Sequence, residues 1–265
     1  MARPLFEHLN ELRPRIAAAP LILLFLDFDG TLSPIVKRPG LATLPSEPRK
    51  VLAALAERES FVVVVISGRE LADLHRRVDV AHLIYAGNHG LEISGRGLQF
   101  MEPTSITRRP ALKKLLQNIA PQLGALAGVE IEDKGLTATI HFRQAPEARD
   151  AVRRIIETEI AESDLFTIRE GKMIYEVLPN VSWHKAAAVN WIRKMPGFEQ
   201  ALAIGLGDDT TDEDLFYAVA DGISVRVGDA AKTAAQYFVT DTGDVRSFLV
   251  WLGETRPDIS NFNGN

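Results

Sequence analysis

Two aspartates, Asp27 and Asp29, follow a run of large apolar residues that begins at Leu21. A short apolar run that ends in a turn signal is typical of a buried central strand of a parallel sheet. Because residues two apart on a strand share a face, both carboxylates are expected on one side, where Gly30 lets the chain turn away. Two carboxylates held close together favour a bound cation, although a surface Asp-Gly turn would have the same sequence.

Three further polar positions end predicted strands or begin a predicted helix: Ser67 after Phe61–Ile66, Lys185 in a helical segment, and Asp208–Asp212 after an apolar run. The carboxyl ends of parallel strands meet at one edge of a sheet, which can bring these groups together. Their types match phosphoryl transfer. A carboxylate attacks phosphorus, a hydroxyl and a lysine hold the phosphoryl group, and a second acid handles the proton. Taken alone, Lys185 would be interpreted as a solvated helix lysine.

The elements that must position these groups alternate between strand and helix up to about Ala86 and again from His184 onward. This alternation predicts an α/β fold, a doubly wound (Rossmann-like), mostly parallel sheet with right-handed crossovers. Ser46 is expected to cap the helix that follows the Pro-rich loop Pro39–Pro48. The last residues, Asp258–Asn265, are expected to be frayed.

A different pattern lies between Thr104 and Leu178. Short segments that alternate apolar and polar residues are separated by two helical segments, Arg109–Gly124 and Pro146–Ser163. Alternating strands with one polar face suit an antiparallel sheet covered by helices on its other face. The sequence therefore predicts a smaller α+β cap domain at 104–178, inserted into a core domain formed by 1–103 and 179–265.

Composition limits the partners of the chain. The 265 residues carry a net charge of -5, so no basic excess is available to meet nucleic-acid phosphates. The absence of cysteine excludes disulfides, thiolate metal sites and a cysteine nucleophile. We expect no secretory signal at the N-terminus, and the apolar run Ile16–Leu26 is too short to span a bilayer. We expect a cytoplasmic, monomeric enzyme that acts on a small molecule, without nucleic-acid or membrane partners.

The motifs DFDGT and GDDTTDE, with Ser67 and Lys185 between them, resemble the four ordered signature segments of the haloacid dehalogenase superfamily of phosphohydrolases. The resemblance implies Asp27 as the nucleophile and a Mg²⁺ ligand. It implies Asp29 as the general acid/base, which binds the metal through its backbone carbonyl, and Asp208 as the third protein ligand. Ser67 and Lys185 would hold the phosphoryl group. The support of the metal-bound waters would fall to two further acids, Asp209 and Asp212.

Six stretches within this frame resemble the trehalose-6-phosphate phosphatase family. They are ISGR (Ile66–Arg69), GNHGLE (Gly87–Glu92), EDKG (Glu132–Gly135), HFRQAP (His141–Pro146), GKMIYEVLP (Gly171–Pro179) and GDDTTDED (Gly207–Asp214). The resemblance implies hydrolysis of trehalose 6-phosphate through an aspartyl phosphate, the last step of trehalose biosynthesis. The chain departs from the family at Ala186, where a glycine commonly follows the motif lysine; a helix tolerates alanine well.

The sugar contacts also follow from the resemblance. Glu132 and Lys134 are two residues apart and share a face, and with Glu176 they would hold the distal glucose, since carboxylates accept from hydroxyls and ammonium groups donate to them. The same three residues could instead form a solvated sheet face with cross-strand ion pairs. On the core domain the implied substrate-side contacts are Gly68, Arg69, Asn88 and His89.

Two other functions fit parts of this pattern. Another sugar-phosphate phosphatase of the superfamily, such as one for sucrose phosphate, would share the core and differ only in the cap residues. An aspartate phosphoswitch of the response-regulator type also uses an aspartate, a hydroxyl and a lysine on a doubly wound sheet. Asp29 argues against the switch, because an acid/base group two residues from the phosphoacceptor would promote hydrolysis, and so does the inserted domain.

Overall fold

The structure is a computed structural model that describes residues 1–36, 39–161 and 163–256. The chain divides into two compact units, a core unit of Met1–Phe100 with Trp183–Asn265 and an inserted unit of Met101–Ser182. The predicted insertion was narrower, at 104–178. The predicted frayed end, Asp258–Asn265, lies outside the described residues.

The described strands alternate with the described helices along most of the chain. The strands are β1 (Arg3–Pro4), β2 (Ile22–Leu26), β3 (Phe61–Ile66), β4 (Ile84–Gly87), β5 (Glu92–Gly95), β6 (Leu98–Met101), β7 (Glu130–Asp133), β8 (Ala138–His141), β9 (Phe166–Gly171), β10 (Ile174–Pro179), β11 (Leu202–Gly207), β12 (Ile223–Val227) and β13 (Tyr237–Val239). The helices are α1 (Leu9–Ala18), α2 (Ser46–Ala56), α3 (Leu71–Val78), α4 (Pro103–Gly124), α5 (Arg149–Ile160), α6 (Lys185–Arg193), α7 (Glu213–Ala218) and α8 (Thr242–Thr255). None of them is long and apolar enough to cross a bilayer.

The core unit is built on a nine-stranded sheet with the order β1-β13-β12-β11-β2-β3-β4-β5-β6. The pairings from β1 through to β4 are parallel, and β5 runs antiparallel to β4. β2 lies in the middle, and each of its five residues is buried. This position explains its uninterrupted apolar sequence, since a parallel strand covered on both faces has no polar side.

Helices cover both faces of the core sheet. On one face Leu24 and Leu26 of β2 pack with residues of α1, α2, α3 and α8. On the other face Leu23 and Phe25 pack with α6 and α7. Full burial of each such side chain contributes about 1.5–3 kcal/mol to folding. The predicted doubly wound α/β class is confirmed by this arrangement.

The inserted unit contains a four-stranded antiparallel sheet with the order β7-β8-β10-β9. Residues of α4 and α5 pack with Ile140 and Tyr175 on one face of this sheet. The opposite face carries a cross-strand row of polar residues, because directly opposed residues of antiparallel strands point the same way. In register this row is Glu132, Thr139, Glu176 and Arg169.

Several local predictions were wrong at helix and strand ends. Ser46 lies inside α2, and Pro45 occupies the cap position. α4 begins at Pro103 and not at Arg109, because Glu102 caps it by accepting hydrogen bonds from the backbone N–H groups of the next turn. The edge strands β1 and β6, and β5 next to β6, were not predicted, since they are short and carry no long apolar run.

Candidate active site

The polar groups singled out from the sequence lie beyond the carboxyl ends of the parallel strands of the core unit. Asp27 follows β2, Ser67 follows β3, Asn88 follows β4 and Asp208 follows β11, while Lys185 is the first residue of α6. Neighbouring parallel strands end at one edge, so residues far apart in sequence are brought to one place.

Lys185 links two of the acids in the centre of this edge. Its Nζ lies 2.7 Å from Oδ1 of Asp27 and 2.6 Å from Oδ1 of Asp212. All three side chains are buried, with at most 9% of any of them exposed. Charge-assisted hydrogen bonds of this length hold one oxygen of each carboxylate against the ammonium group. Lys185 therefore does not have the solvated position that its residue type alone suggests.

The acidic loop after β11 is ordered by Asp212. Its Oδ2 accepts hydrogen bonds from the backbone N–H groups of Asp208 (3.1 Å) and Asp209 (3.0 Å). Asp209 in turn caps the short turn Thr210–Asp212 with its own carboxylate. A Cβ at position 207 would lie 2.3 Å from the Asp212 carboxyl carbon, which explains Gly207. The structure thus gives Asp209 and Asp212 roles in shaping the loop, while support of metal-bound waters stays a prediction.

Negative charge exceeds positive charge in this cluster. Burial, together with the Asp212 and Asp208 carboxylates, raises the pKa of Asp27 well above its usual range, although Lys185 opposes the shift. Burial and the neighbouring acids Asp212 and Asp209 raise the pKa of Asp208 to about 7. Burial disfavours the Lys185 ammonium, but its two carboxylate partners outweigh this effect and raise its pKa. A cation would relieve the excess of negative charge.

The arrangement of oxygen atoms fits a hard divalent cation. Carboxylate oxygens of Asp27, Asp208 and Asp212 lie within 4.8 Å of one another. The buried Oδ1 of Asp208 has no hydrogen-bond partner among the described residues, so it is available as a ligand. Both Asp212 oxygens are already engaged, which leaves Asp27 and Asp208 as the side-chain ligands. Mg²⁺ takes such oxygen ligands and keeps several waters.

The chain after Asp27 approaches Asp208 closely at Gly30. Gly30 has a φ of +89°, and a Cβ there would lie 2.1 Å from Oδ2 of Asp208. Only glycine meets both requirements, because other residues are strained in this backbone region. The glycine in DFDGT therefore brings the β2 loop against the β11 loop.

The expectation that Asp27 and Asp29 share one face of a strand is wrong. β2 ends at Leu26, so both aspartates lie in the loop that follows, where the alternation of a strand no longer holds. The Asp29 carboxylate instead pairs with Arg69, which donates from Nε and Nη2 at 2.7 Å each. The predicted metal contact of Asp29 uses its backbone carbonyl and is independent of this side-chain position.

The loops after β3 and β4 are hydrogen-bonded to each other through their backbones. Asn88 N–H donates to the Arg69 carbonyl (2.6 Å), and His89 N–H donates to the Ser67 carbonyl (2.8 Å). The buried Ser67 Oγ accepts from the Arg69 N–H at 3.2 Å. A Cβ on Gly68 would lie 2.6 Å from the His89 ring, so the two loops pack without space for a side chain there.

The three predicted sugar contacts share the polar face of the sheet in the inserted unit. Lys134 Nζ lies 3.8 Å from Oε1 of Glu176, and both side chains are buried. His141 Nε2 lies 2.8 Å from Oε2 of Glu132. This arrangement contains the ion pair that the alternative interpretation expects, but the burial of that pair does not suit a merely solvated face.

Asp73, which was not predicted as part of the site, binds Arg69 and Arg77. The signal was present in the sequence, because Arg69, Asp73 and Arg77 are spaced four residues apart, and residues at this spacing are neighbours on a helix surface. The contact of His141 with Glu132 was also not predicted. The sequence does contain a signal for it, because both residues lie on segments that are predicted to be neighbouring antiparallel strands.

Comparisons with known proteins agree with the site. A family model described as trehalose-phosphatase matches residues 25–243. The chain is 30% identical over 264 residues to Trehalose 6-phosphate phosphatase RA3 of Zea mays, covering 91% of this chain and 73% of that protein. It is 34% identical over 248 residues to a trehalose-phosphate phosphatase of Mycobacterium marinum, covering 89% of this chain and 62% of that protein.

The fold has a solved counterpart in the C-terminal domain of C. albicans trehalose-6-phosphate phosphatase. The TM-score is 0.79 at 22% identity, over 96% of this chain and 98% of that one. The match of the family model extends over most of the chain and includes both units. This confirms the resemblance found in the sequence: the chain belongs to the trehalose-phosphatase family.

Proposed function

We propose that this chain hydrolyses trehalose 6-phosphate to trehalose and inorganic phosphate with the help of Mg²⁺. The observation that carries the proposal is the buried Asp27–Lys185–Asp212 cluster beside Asp208, in a chain of the trehalose-phosphatase family. A small-molecule sugar phosphate as the partner, a monomeric state and a cytoplasmic location belong to the same proposal. The net charge of -5 supports the absence of a nucleic-acid partner.

The first step transfers the phosphoryl group to Asp27. A carboxylate oxygen of Asp27 forms a bond to phosphorus, and the bond from phosphorus to the sugar oxygen breaks. Asp29 gives its proton to that leaving oxygen. Lys185 holds the Asp27 carboxylate through Oδ1 and offsets the charge that develops on the phosphoryl oxygens. The Ser67 hydroxyl donates to one of these oxygens.

The second step releases phosphate and restores Asp27. Asp29, now ionised, accepts a proton from a water molecule, whose oxygen attacks phosphorus as the bond to Asp27 breaks. The Asp27 and Asp208 carboxylates and the Asp29 carbonyl would hold Mg²⁺, which when bound would supply positive charge that offsets the charge of the phosphoryl oxygens. Asp212 keeps Lys185 and the Asp208 loop in place throughout, because it binds both.

Sugar recognition is assigned to Glu132, Lys134 and Glu176. Carboxylates accept hydrogen bonds from sugar hydroxyls, and an ammonium group donates to them. The pairing of Lys134 with Glu176 and of His141 with Glu132 holds these side chains on one face of their sheet, which supports the assignment.

A panel of substrates tests the proposal. Phosphate release with Mg²⁺ is measured from trehalose 6-phosphate, sucrose phosphate, glucose 6-phosphate and an aryl phosphate, with a chelator as the control. We expect the highest kcat/KM for trehalose 6-phosphate. A preference for sucrose phosphate would favour the other sugar-phosphate phosphatase. A stable aspartyl phosphate without turnover would favour the phosphoswitch.

The sugar assignment predicts a change in a ratio of activities. Alanine at Glu132 or Glu176 should lower kcat/KM for trehalose 6-phosphate roughly tenfold to hundredfold, since a charged hydrogen bond contributes about 1.5–3 kcal/mol. Activity on the aryl phosphate should stay unchanged, because that substrate has no hydroxyls to bind. Glu130→Ala, on the same face of β7, is the matched control. Parallel loss of both activities would assign these residues to the fold.

A further inference from the structure

We infer that Arg69 is a positioning residue that fixes the carboxylate of Asp29, the proposed general acid/base. The inference rests on the proposed function and adds to it a residue of the core unit that positions the acid/base group. The resemblance had implied that Arg69 contacts substrate. The structure instead directs its guanidinium to two carboxylates of the core unit, Asp29 and Asp73.

The pair of Arg69 and Asp29 has the geometry of a two-pronged clamp. Nε of Arg69 lies 2.7 Å from Oδ2 of Asp29, and Nη2 lies 2.7 Å from Oδ1. The two parallel hydrogen bonds define the plane of the carboxylate as well as its distance. The Arg69 side chain is 8% exposed, whereas the Asp29 side chain is 40% exposed. The buried Arg69 side chain is therefore the fixed partner, and it holds the more exposed carboxylate of Asp29.

A second set of contacts holds Arg69 itself. Its Nη1 donates to Oδ2 of Asp73 at 3.1 Å, and Nε of Arg77 lies 2.5 Å from the same oxygen. The guanidinium carbon also lies 5.5 Å from the centre of the Phe28 ring, a cation–π distance. Arg77 is tied to the loop beyond β2 by donating to the carbonyl of Gly40 at 3.0 Å.

This chain of contacts matters because Asp29 lies in a loop. A carboxylate on a loop that is partly open to water can rotate among several rotamers, and general acid/base catalysis requires one defined position for the proton. All three guanidinium nitrogen atoms of Arg69 donate hydrogen bonds, two of them to Asp29 and one to Asp73. Lysine cannot reproduce this planar fork and offers only a point charge.

The experiment compares Arg69→Ala, Arg69→Lys, Asp29→Asn and the double variant of Asp29→Asn with Arg69→Ala, all with Mg²⁺. The matched control is Arg76→Ala. Arg76 lies on the same helix and donates to Asp73 at 3.2 Å, but its side chain is 67% exposed. For each protein we measure kcat and KM with trehalose 6-phosphate and with an aryl phosphate, and the inhibition constant of inorganic phosphate.

We expect Arg69→Ala to lower kcat by roughly tenfold to hundredfold with both substrates, the range for a misplaced acid/base group. KM and the inhibition constant of phosphate should change by less than about threefold, since no phosphoryl contact is lost. Arg69→Lys should recover part of kcat, and Arg76→Ala should match the wild type. In the Asp29→Asn background, Arg69→Ala should cause no further loss, because Arg69 acts through Asp29.

Other results would overturn the inference. A tenfold weaker inhibition by phosphate, or a loss that adds fully to that of Asp29→Asn, would make Arg69 a direct phosphoryl contact. Wild-type kcat in Arg69→Ala would give it no role. Should Arg69→Ala fail to fold, Asp73→Asn loosens Arg69 without touching Asp29, and an unchanged kcat there would count equally against the inference. A wild-type protein inactive on trehalose 6-phosphate but active on the aryl phosphate would contradict only the proposed substrate.

Discussion

At the residue scale, the buried carboxylates of Asp27 and Asp212 and the half-buried carboxylate of Asp208 face the ammonium group of Lys185. Removing one carboxylate relieves repulsion, so metal-free Asp27→Asn should unfold at or above the wild-type temperature. The same variant should lose phosphate release and covalent phosphorylation.

Removing the ammonium group by Lys185→Met should lower the free energy of unfolding by about 3–5 kcal/mol, because the buried carboxylates lose their positively charged partner. Thermal unfolding and phosphate release test both. A less stable Asp27→Asn variant would contradict this balance of charge.

The raised pKa of Asp208 gives a pH dependence. Burial and neighbouring acids raise it to about 7 in the folded chain, against 3.8 ordinarily, so the native state binds more protons between these values. The stability of the metal-free protein should therefore fall as pH rises from about 4 to about 7. The difference in unfolding temperature between wild type and Asp208→Asn across this window measures the effect. A difference that does not change with pH would contradict it.

The residue types of the site were predictable from the sequence, but some of their contacts were not. Asp27, Ser67 and Lys185 stand where apolar runs end or a helix begins, and that signal is local. The side-chain direction of Asp29 depends on where β2 stops, and β2 ends before Asp27. The pairing with Arg69 also requires a partner from a different loop. Contacts of this kind follow from tertiary packing, which a pattern along one strand does not contain.

At the element scale, the approach of the β2 loop to the β11 loop depends on Gly30. Gly30→Ala would place a methyl group 2.1 Å from an Asp208 oxygen at a φ of +89°. We expect phosphate release to fall at least tenfold and the free energy of unfolding to fall by more than about 1–3 kcal/mol, the cost of such backbone strain alone. Kinetics and denaturant unfolding measure the two effects.

Gly97→Ala is the control for this change. Its φ is +79°, but a Cβ there would meet no atom within 4 Å. Backbone strain without a clash should therefore lower stability and leave phosphate release intact. Equal effects of the two substitutions on activity would show that the contact with Asp208 is unimportant.

The long buried strands were more predictable than the edges of the sheet. β2 and β3 are covered on both faces, so their sequences are uniformly apolar and leave little choice of structure. β5 and β6 are strands of only four residues each near one edge of the core sheet, too short for their pattern to stand out in the sequence. In α4, Pro110 lies inside the helix and obscures its first turns, although the cap formed by Glu102 shows where it begins.

At the scale of the whole molecule, binding of a cation to the acidic cluster should stabilise the fold by mass action. Mg²⁺ at a hundred times its dissociation constant contributes about 2.7 kcal/mol, which corresponds to a rise of roughly 5–10 °C in the unfolding temperature. Differential scanning calorimetry of the chelated protein before and after addition of Mg²⁺ measures the rise. Asp208→Asn should reduce it sharply, and an equal rise in that variant would remove Asp208 from the site.

The core unit is interrupted at a single place, where its chain stops at Phe100 and resumes at Trp183. The rings of these two residues stack with centroids 4.4 Å apart, and the Trp183 indole N–H donates to the Gly90 carbonyl at 2.8 Å. The two cut ends are thus already joined by the core itself. Replacing residues 102–182 with a short Gly-Ser linker should leave a core that still unfolds cooperatively. One continuous stretch of gene could therefore be exchanged between relatives without altering the register of the nine-stranded sheet, so new specificities could arise by recombination.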